Sequence, residues 1–307
     1  MRRGRRRRAG RRLRTDVVAA AAGPGRPAVA GPTGDAAGDV RWLELATDPG
    51  LSGLAVADDG ALWAVAERTH AAYRITLDGD RVAAVAPHPI AGIPAGVDAE
   101  AIEALAGGRL LLGTEGHDAG VAALWLAAPD ATGDGLSATV LLELDAARLG
   151  IAIDDNAGVE GVCGDDHVVA AAIETVEVAG GRRLAPVVVQ RLDTPGARPA
   201  PVVHRIALTT TTGKLSAIDC RAADDGGLDV VAIERHFEVS RLIGFHLPPA
   251  ATAAPIEPTL VRDLVDVNAG RNFEGLARLR DGRVALIVDN QWKTIDGPSQ
   301  LVLLAAP

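Results

Sequence analysis

Apolar residues along the chain fall into short runs, and pairs of runs are separated by turns of the Asp-Gly or Gly-Gly kind. The pattern recurs five times: SGLAVADDGALWAVAER from Ser52, EAIEALAGGRLLLGTEG from Glu100, EGVCGDDHVVAAAIE from Glu160, SAIDCRAADDGGLDVVAIER from Ser216 and NFEGLARLRDGRVALIVDNQW from Asn272. An Asp-Gly step between two apolar runs predicts a β-hairpin. Counted from the residue that enters each first strand (Ser52, Glu100, Glu160, Ser216, Glu274), the spacings are 48, 60, 56 and 58 residues. Periods of this size with several strands per unit mark a β-propeller.

Further strands follow each hairpin: AAYRITL and RVAAVAP, AALWLAAP and TVLLELD, APVVVQRL and VVHRIAL, SRLIGFHL and TLVRDL. The fifth unit has only QLVLLAAP, and RWLELAT (41–47) at the other end of the sequence supplies the strand it lacks. Closing a ring in this way removes two exposed sheet edges. The fold expected is therefore all-β, a propeller of five blades of four antiparallel strands closed by an amino-terminal strand. Six blades result if 175–215 hides another, and a sandwich with accidental repeats is the alternative. Residues 39–307 form the single domain of this reading.

The acids follow the repeat. The entry to the first strand is acidic at Glu100, Glu160 and Glu274, with Ser52 and Ser216 in the other two units. The end of the second strand carries Glu67, Glu115, Glu174, Glu234 and Asp289. In an antiparallel hairpin these two positions lie at the same end, so eight carboxylates are expected around one mouth of the axial channel. Bare acids at such density repel and their pKa values rise. A hard cation resolves the repulsion, and calcium, which takes six to eight oxygens in irregular geometry, suits it best; another divalent ion is the alternative. Asn156, Asn272 and Asn290 offer amide oxygens. The plainer reading is that these acids cap turns or face water.

Cations and imidazoles stand beside the acids: Arg68, His70, His117, Arg235, His236 and Lys293. They either hold the anionic part of a small ester or phosphoester, together with Asn290, or neutralise the acids as surface pairs. For catalysis the expected residues are Glu160 and Glu274 as bases, with Arg68 and Arg235 on the anion. G-x-S-x-G, P-loop, H-E-x-x-H and dinucleotide patterns are all missing from the sequence, and Ser52 and Ser216 have no evident triad partners.

The first fourteen residues, MRRGRRRRAGRRLR, hold nine arginines and no acid. The rest is thus far more acidic than the whole-chain charge of −9 suggests, which argues against a nucleic-acid surface on the folded part. The arginine block, with VVAAAAG after it, reads as an export signal or as a disordered tail. Asp16 interrupts the apolar segment, which tips the reading toward a tail and a cytoplasmic protein. Residues 1–38 are then a tail and a Gly/Pro/Ala-rich linker. No apolar run is long enough to span a membrane, and the chain is read as a monomer. Cys163 and Cys220 are expected as two small buried apolar residues, with a bridge between neighbouring elements as the alternative.

These stretches resemble the bacterial phytase-like propeller domain described as the esterase-like activity of phytase. The likeness lies in SGLAVADDGALWAVAER, GVDAEAIEALAGGRLLLGTEG, NAGVEGVCGDDHVVAAAIE and above all NFEGLARLRDGRVALIVDNQW followed by SQLVLL, and it covers about residues 40–307. It implies an exported, calcium-associated propeller with phosphoester or ester hydrolysis. Glu100, Glu115, Glu160, Glu274 and Asp289 match its acidic positions, Asp98 with Glu100 keeps its D-x-E pair, and Ser216 stands where an acid is expected. Three functions are consistent with the sequence: a metal-dependent hydrolase of phosphoesters or simple esters, a non-catalytic binding propeller with a structural cation, and a sugar-lactone hydrolase.

Overall fold

The computed structural model describes residues 40–306, apart from 117–120, 152, 154–156, 193–198, 237–238, 269–270 and 291–296. The amino-terminal tail, Asn156, His117 and Lys293 lie outside the described residues. Among the described residues the protein is all-β, with only single-turn helices such as α1 (Ala146–Leu149) and α2 (Val265–Asn268). None of its helices is long and apolar enough to cross a membrane.

Each sequence repeat folds as an antiparallel meander. Strand β1 (Val40–Leu45) comes first. The first unit is then β2 (Leu51–Val56), β3 (Leu62–Ala66), β4 (Ala71–Asp78) and β5 (Arg81–Ala91). The second is β6 (Val97–Ala104), β7 (Leu110–Gly116), β8 (Val121–Pro129) and β9 (Leu136–Asp145). The third is β10 (Val159–Gly164), β11 (Val168–Ile173), β13 (Arg182–Arg191) and β14 (Val202–Ala207), with the short β12 (Glu177–Ala179) folded against β13. The fourth is β15 (Lys214–Ala222), β16 (Leu228–His236), β17 (Val239–Leu247) and β18 (Thr259–Asp263). The fifth is β19 (Asn272–Arg278), β20 (Val284–Asp289) and β21 (Ser299–Leu304). Its outer strand is β1, paired antiparallel to β21 from Val40↔Leu304 to Leu45↔Ser299. Two features were not legible in the sequence: β12, and a short parallel pairing of β5 with β9 that joins the first two units into one eight-stranded sheet.

The first strands pack side by side in succession, β2 on β6, β6 on β10, β10 on β15, β15 on β19, and β19 on β2. Between each successive pair of units lies an apolar cluster. Examples are Trp63, Ile102 and Leu112 between the first and second, and Leu54, Tyr73, Ala285 and Leu301 between the fifth and first. Second strands such as β3 and β20 are buried along their whole length, because a neighbouring sheet covers both faces. That is why their sequence is apolar throughout rather than alternating.

The first strands approach backbone to backbone. A Cβ on Gly161 would fall 2.7 Å from the Ile218 amide nitrogen, and one on Gly275 would fall 2.7 Å from the carbonyl carbon of Gly53. The residue after each strand entry is accordingly Gly or Ala: Gly53, Ala101, Gly161, Ala217 and Gly275.

The cysteines differ from the expectation of two separate buried residues. Cys163 on β10 and Cys220 on β15 form a disulfide with Cα atoms 5.5 Å apart. The reason is geometric: they occupy facing places on adjacent first strands, a relation that sequence spacing of 57 residues conceals.

Candidate functional site

Every first strand carries a β-bulge near its entry, where the register skips Gly53, Glu100, Glu160, Ser216 or Glu274. Bulges re-aim side chains and concentrate beside sites. Beyond the bulges the register aligns the units through Leu54↔Ala64, Ile102↔Leu112, Val162↔Ala171, Ile218↔Ala232 and Leu276↔Leu286. Counting back from these pairs defines three equivalent places per unit. The outermost holds Gly50, Asp98, Gly158, Lys214 or Asn272; the entry holds Ser52, Glu100, Glu160, Ser216 or Glu274; the exit of the second strand holds Glu67, Glu115, Glu174, Arg235 or Asp289.

The exit place in the fourth unit is therefore Arg235 and not Glu234. The fourth hairpin is longer because β15 and β16 run to nine residues each on either side of an ordinary turn, and the sequence pattern lands one residue short. Glu234 is fully buried, and its carboxylate accepts the N–H and O–H groups of both Thr209 and Thr210 at 2.6–2.9 Å. Its lone pairs are spent on holding the β14–β15 connection.

The remaining acids converge. Ligand atoms of Asp98, Glu100 and Glu115 lie within 4.8 Å of one another, as do those of Glu115, Glu160 and Glu174. Burial lifts the Glu100 carboxyl well above the usual carboxylate range, and the charges of Glu67, Glu160, Glu115 and Glu274 add to it. Burial, with Asp289, Glu274 and Asp98 beside it, raises Glu67 to about 8 against the relief of Arg68. Glu160 rises to about 7: burial, Glu274 and Glu115 push it up, while Lys214 and Arg235 pull it down. Contributions from four different units act on one another, so these carboxylates lie close together.

The fourth unit supplies cations instead. Lys214 and Arg235 are register partners on one rung of β15–β16. Lys214 forms an ion pair with Glu174 of the third unit. Arg235 grips Glu274 of the fifth through both sides of its guanidinium, Nε donating to Oε2 at 3.1 Å and Nη2 to Oε1. Burial opposes the Arg235 charge, but Glu274, Glu160 and Asp289 outweigh it and hold its pKa up. Asn272 donates to both Glu274 (2.7 Å) and Asp289 (3.1 Å).

Several expected ligand-binding groups have structural duties. The Asn290 side chain accepts from the Gly50 amide at 2.8 Å and donates to the Gly297 carbonyl at 3.1 Å, tying the β1–β2 connection to the fifth unit. His70, at φ 48°, donates from Nε2 to the Val97 carbonyl at 2.6 Å. His236 is partly buried at the end of β16. Arg68 is half exposed at the rim, 3.7 Å from Asp98. The serines that replace acids at the entry bond to the next unit: Ser52 Oγ donates to the Glu100 carbonyl at 2.6 Å and Ser216 Oγ to the Phe273 carbonyl at 3.0 Å. Sequence reading passed over Lys214, whose signal was its place two residues before Ser216, where the second unit has Asp98 before Glu100.

The sequence model of the family described as "Phytase-like: Esterase-like activity of phytase" matches residues 49–291, a span that contains all three places in every unit. No protein of curated function matches the sequence. Among solved structures, the PQQ-bound aldose sugar dehydrogenase of Streptomyces coelicolor shares 12% identity at a TM-score of 0.47, over 86% of this chain and 98% of that one. A Thermus thermophilus oxidoreductase (glucose dehydrogenase) shares 8% at 0.47, over 87% and 100%. The virginiamycin B lyase of Staphylococcus aureus shares 11% at 0.42, over 87% and 99%. At these identities and scores the solved structures carry nothing about this chain's chemistry.

Proposed function

The chain belongs to the phytase-like family, and on that premise we propose a five-bladed propeller hydrolase, its ring closed by β1, that binds a divalent cation, calcium first among them, at its acidic mouth. The observation that carries this reading is the cluster of Asp98, Glu100 and Glu115, whose donor atoms lie within 4.8 Å of one another. An all-carboxylate set suits a hard cation rather than zinc or copper, and a raised Glu100 pKa is what such a set shows when protons take the cation's place. A cation bound there supplies Lewis-acid polarisation of a phosphoryl or acyl oxygen.

The chain's own residues do the rest. Glu160, with its pKa near 7, is matched to taking and returning a proton at neutral pH. Arg68, half exposed at the rim, is placed to meet the anionic group of a small ester or phosphoester. Glu274 is committed to Arg235 and Asn272, so its part is to hold the mouth's shape. The disulfide between β10 and β15 favours action in an oxidising compartment, hence the export reading of the amino-terminal segment.

The test is turnover of aryl phosphates, aryl esters and aryl lactones in calcium and in chelator, with Glu160→Gln and Glu100→Gln beside the parent. Calcium-dependent turnover lost in both variants supports the reading. A second reading, a binding propeller with a purely structural cation, draws on the ion pairs Lys214–Glu174 and Arg235–Glu274 that join neighbouring units. It predicts a chelator-sensitive melt with no turnover across the panel.

A further inference from the structure

Two three-carboxylate clusters share Glu115: Asp98, Glu100 and Glu115 on one side, and Glu115, Glu160 and Glu174 on the other. Their geometry alone makes them equivalent. Their surroundings do not. At the second cluster the ammonium of Lys214 is already in direct ion pair with Glu174, and its charge also acts on Glu160. Lys214 and Glu174 are mostly buried, with side chains 25% and 19% exposed. At the first cluster stands Arg68, 3.7 Å from Asp98, with its side chain 52% exposed. A long exposed side chain in such a contact gains little and leaves easily.

The fourth unit gives the same division from its own register. It puts Lys214 where the second unit has Asp98, Ser216 where it has Glu100, and Arg235 where it has Glu115. One unit is acidic at all three places, the other at none.

We propose that the mouth takes one divalent cation, held by Asp98, Glu100 and Glu115, and that Lys214 is a built-in counter-ion that fills the place of a second. This inference rests on the reading of the mouth as a cation site. An ammonium and a bound divalent ion compete for the same carboxylate oxygens, and a charge tethered to a packed strand needs no association step. Glu174 is then a partner of Lys214 and not a ligand, although by repeat position it is the twin of Glu115.

Calcium binding by isothermal titration, with native mass spectrometry for the count, tests this on the full chain. The parent is expected to bind about one equivalent, and Lys214→Met about two. Arg68→Met is expected to stay at about one. Glu174→Gln should hold calcium affinity within about twofold, whereas Glu100→Gln should abolish binding. Two equivalents in the parent, one in a folded Lys214→Met, or a tenfold loss in Glu174→Gln would each overturn the counter-ion role while leaving the cation site standing. No binding of calcium or other divalent ions by the parent would overturn the reading beneath it. If Lys214→Met fails to fold, the parent's count and Glu174→Gln still decide the matter.

Discussion

The second and fourth units are built on one scaffold, with the same bulge, the same small residue after it and the same three places at the mouth. The second puts Asp98, Glu100 and Glu115 there; the fourth puts Lys214, Ser216 and Arg235. The difference teaches how a repeat protein tolerates a dense group of acids. The neighbours of the fourth unit are neutralised through Lys214–Glu174 and Arg235–Glu274. The second unit's carboxylates are drawn together instead, with Glu100 pushed well above the ordinary range. One side is held by ion pairs between units, and the other gathers carboxylates that repel one another.

The largest effect should come from breaking the compensated side. Arg235→Met leaves Glu274 largely buried without its ion partner, and a chemical melt should show a loss of about 4 kcal/mol. The covalent tie to the same unit comes next. Replacing Cys163 and Cys220 by Ser opens a 57-residue loop and should cost about 3 kcal/mol, measured the same way. Glu234→Gln then tests the acid that the sequence pattern alone puts at the exit of the fourth unit. The amide turns an N–H pair toward the donors of Thr209 and Thr210, and the expected loss is about 2 kcal/mol.

The second unit's side should answer in the opposite direction. In chelator, Glu100→Gln removes a carboxyl whose ionisation burial and its neighbours oppose and should leave stability unchanged or raise it by about 1 kcal/mol. The pH response of the cation-free protein has a definite sign. Glu67 and Glu160 have folded pKa values of about 8 and about 7, above the ordinary 4.5. The folded chain therefore binds more protons than the unfolded one in that window, so stability should fall as pH rises from about 4.5 to about 8. A flat profile in chelator would show that these carboxyls are not crowded.

Much of this was legible in the chain. The apolar runs and Asp-Gly turns mark the hairpins, and RWLELAT stands where β1 pairs with β21. The acids of the second, third and fifth units fall at their register places because their hairpins are nearly equal in length. The fourth unit escapes that logic, since its longer strands β15 and β16 leave the phase open in the sequence and only the register separates Glu234 from Arg235. The disulfide was hidden for a related reason: contact between the first strands of successive units is a long-range property of the fold, and neither cysteine carries a local sign of the other. Asn290 and His70 looked like ligand groups because polarity beside an acid is visible in sequence, whereas the carbonyls and amides that occupy them are not.

The most direct test of the acidic second unit as a cation site is the melting temperature in excess calcium against chelator, for the parent and for Glu100→Gln. At a hundredfold excess over Kd the parent should gain about 2.7 kcal/mol, or about 5 °C for a domain of this size, and Glu100→Gln should gain nothing. Equal melts of the parent with calcium, with other divalent ions and with chelator would contradict the account.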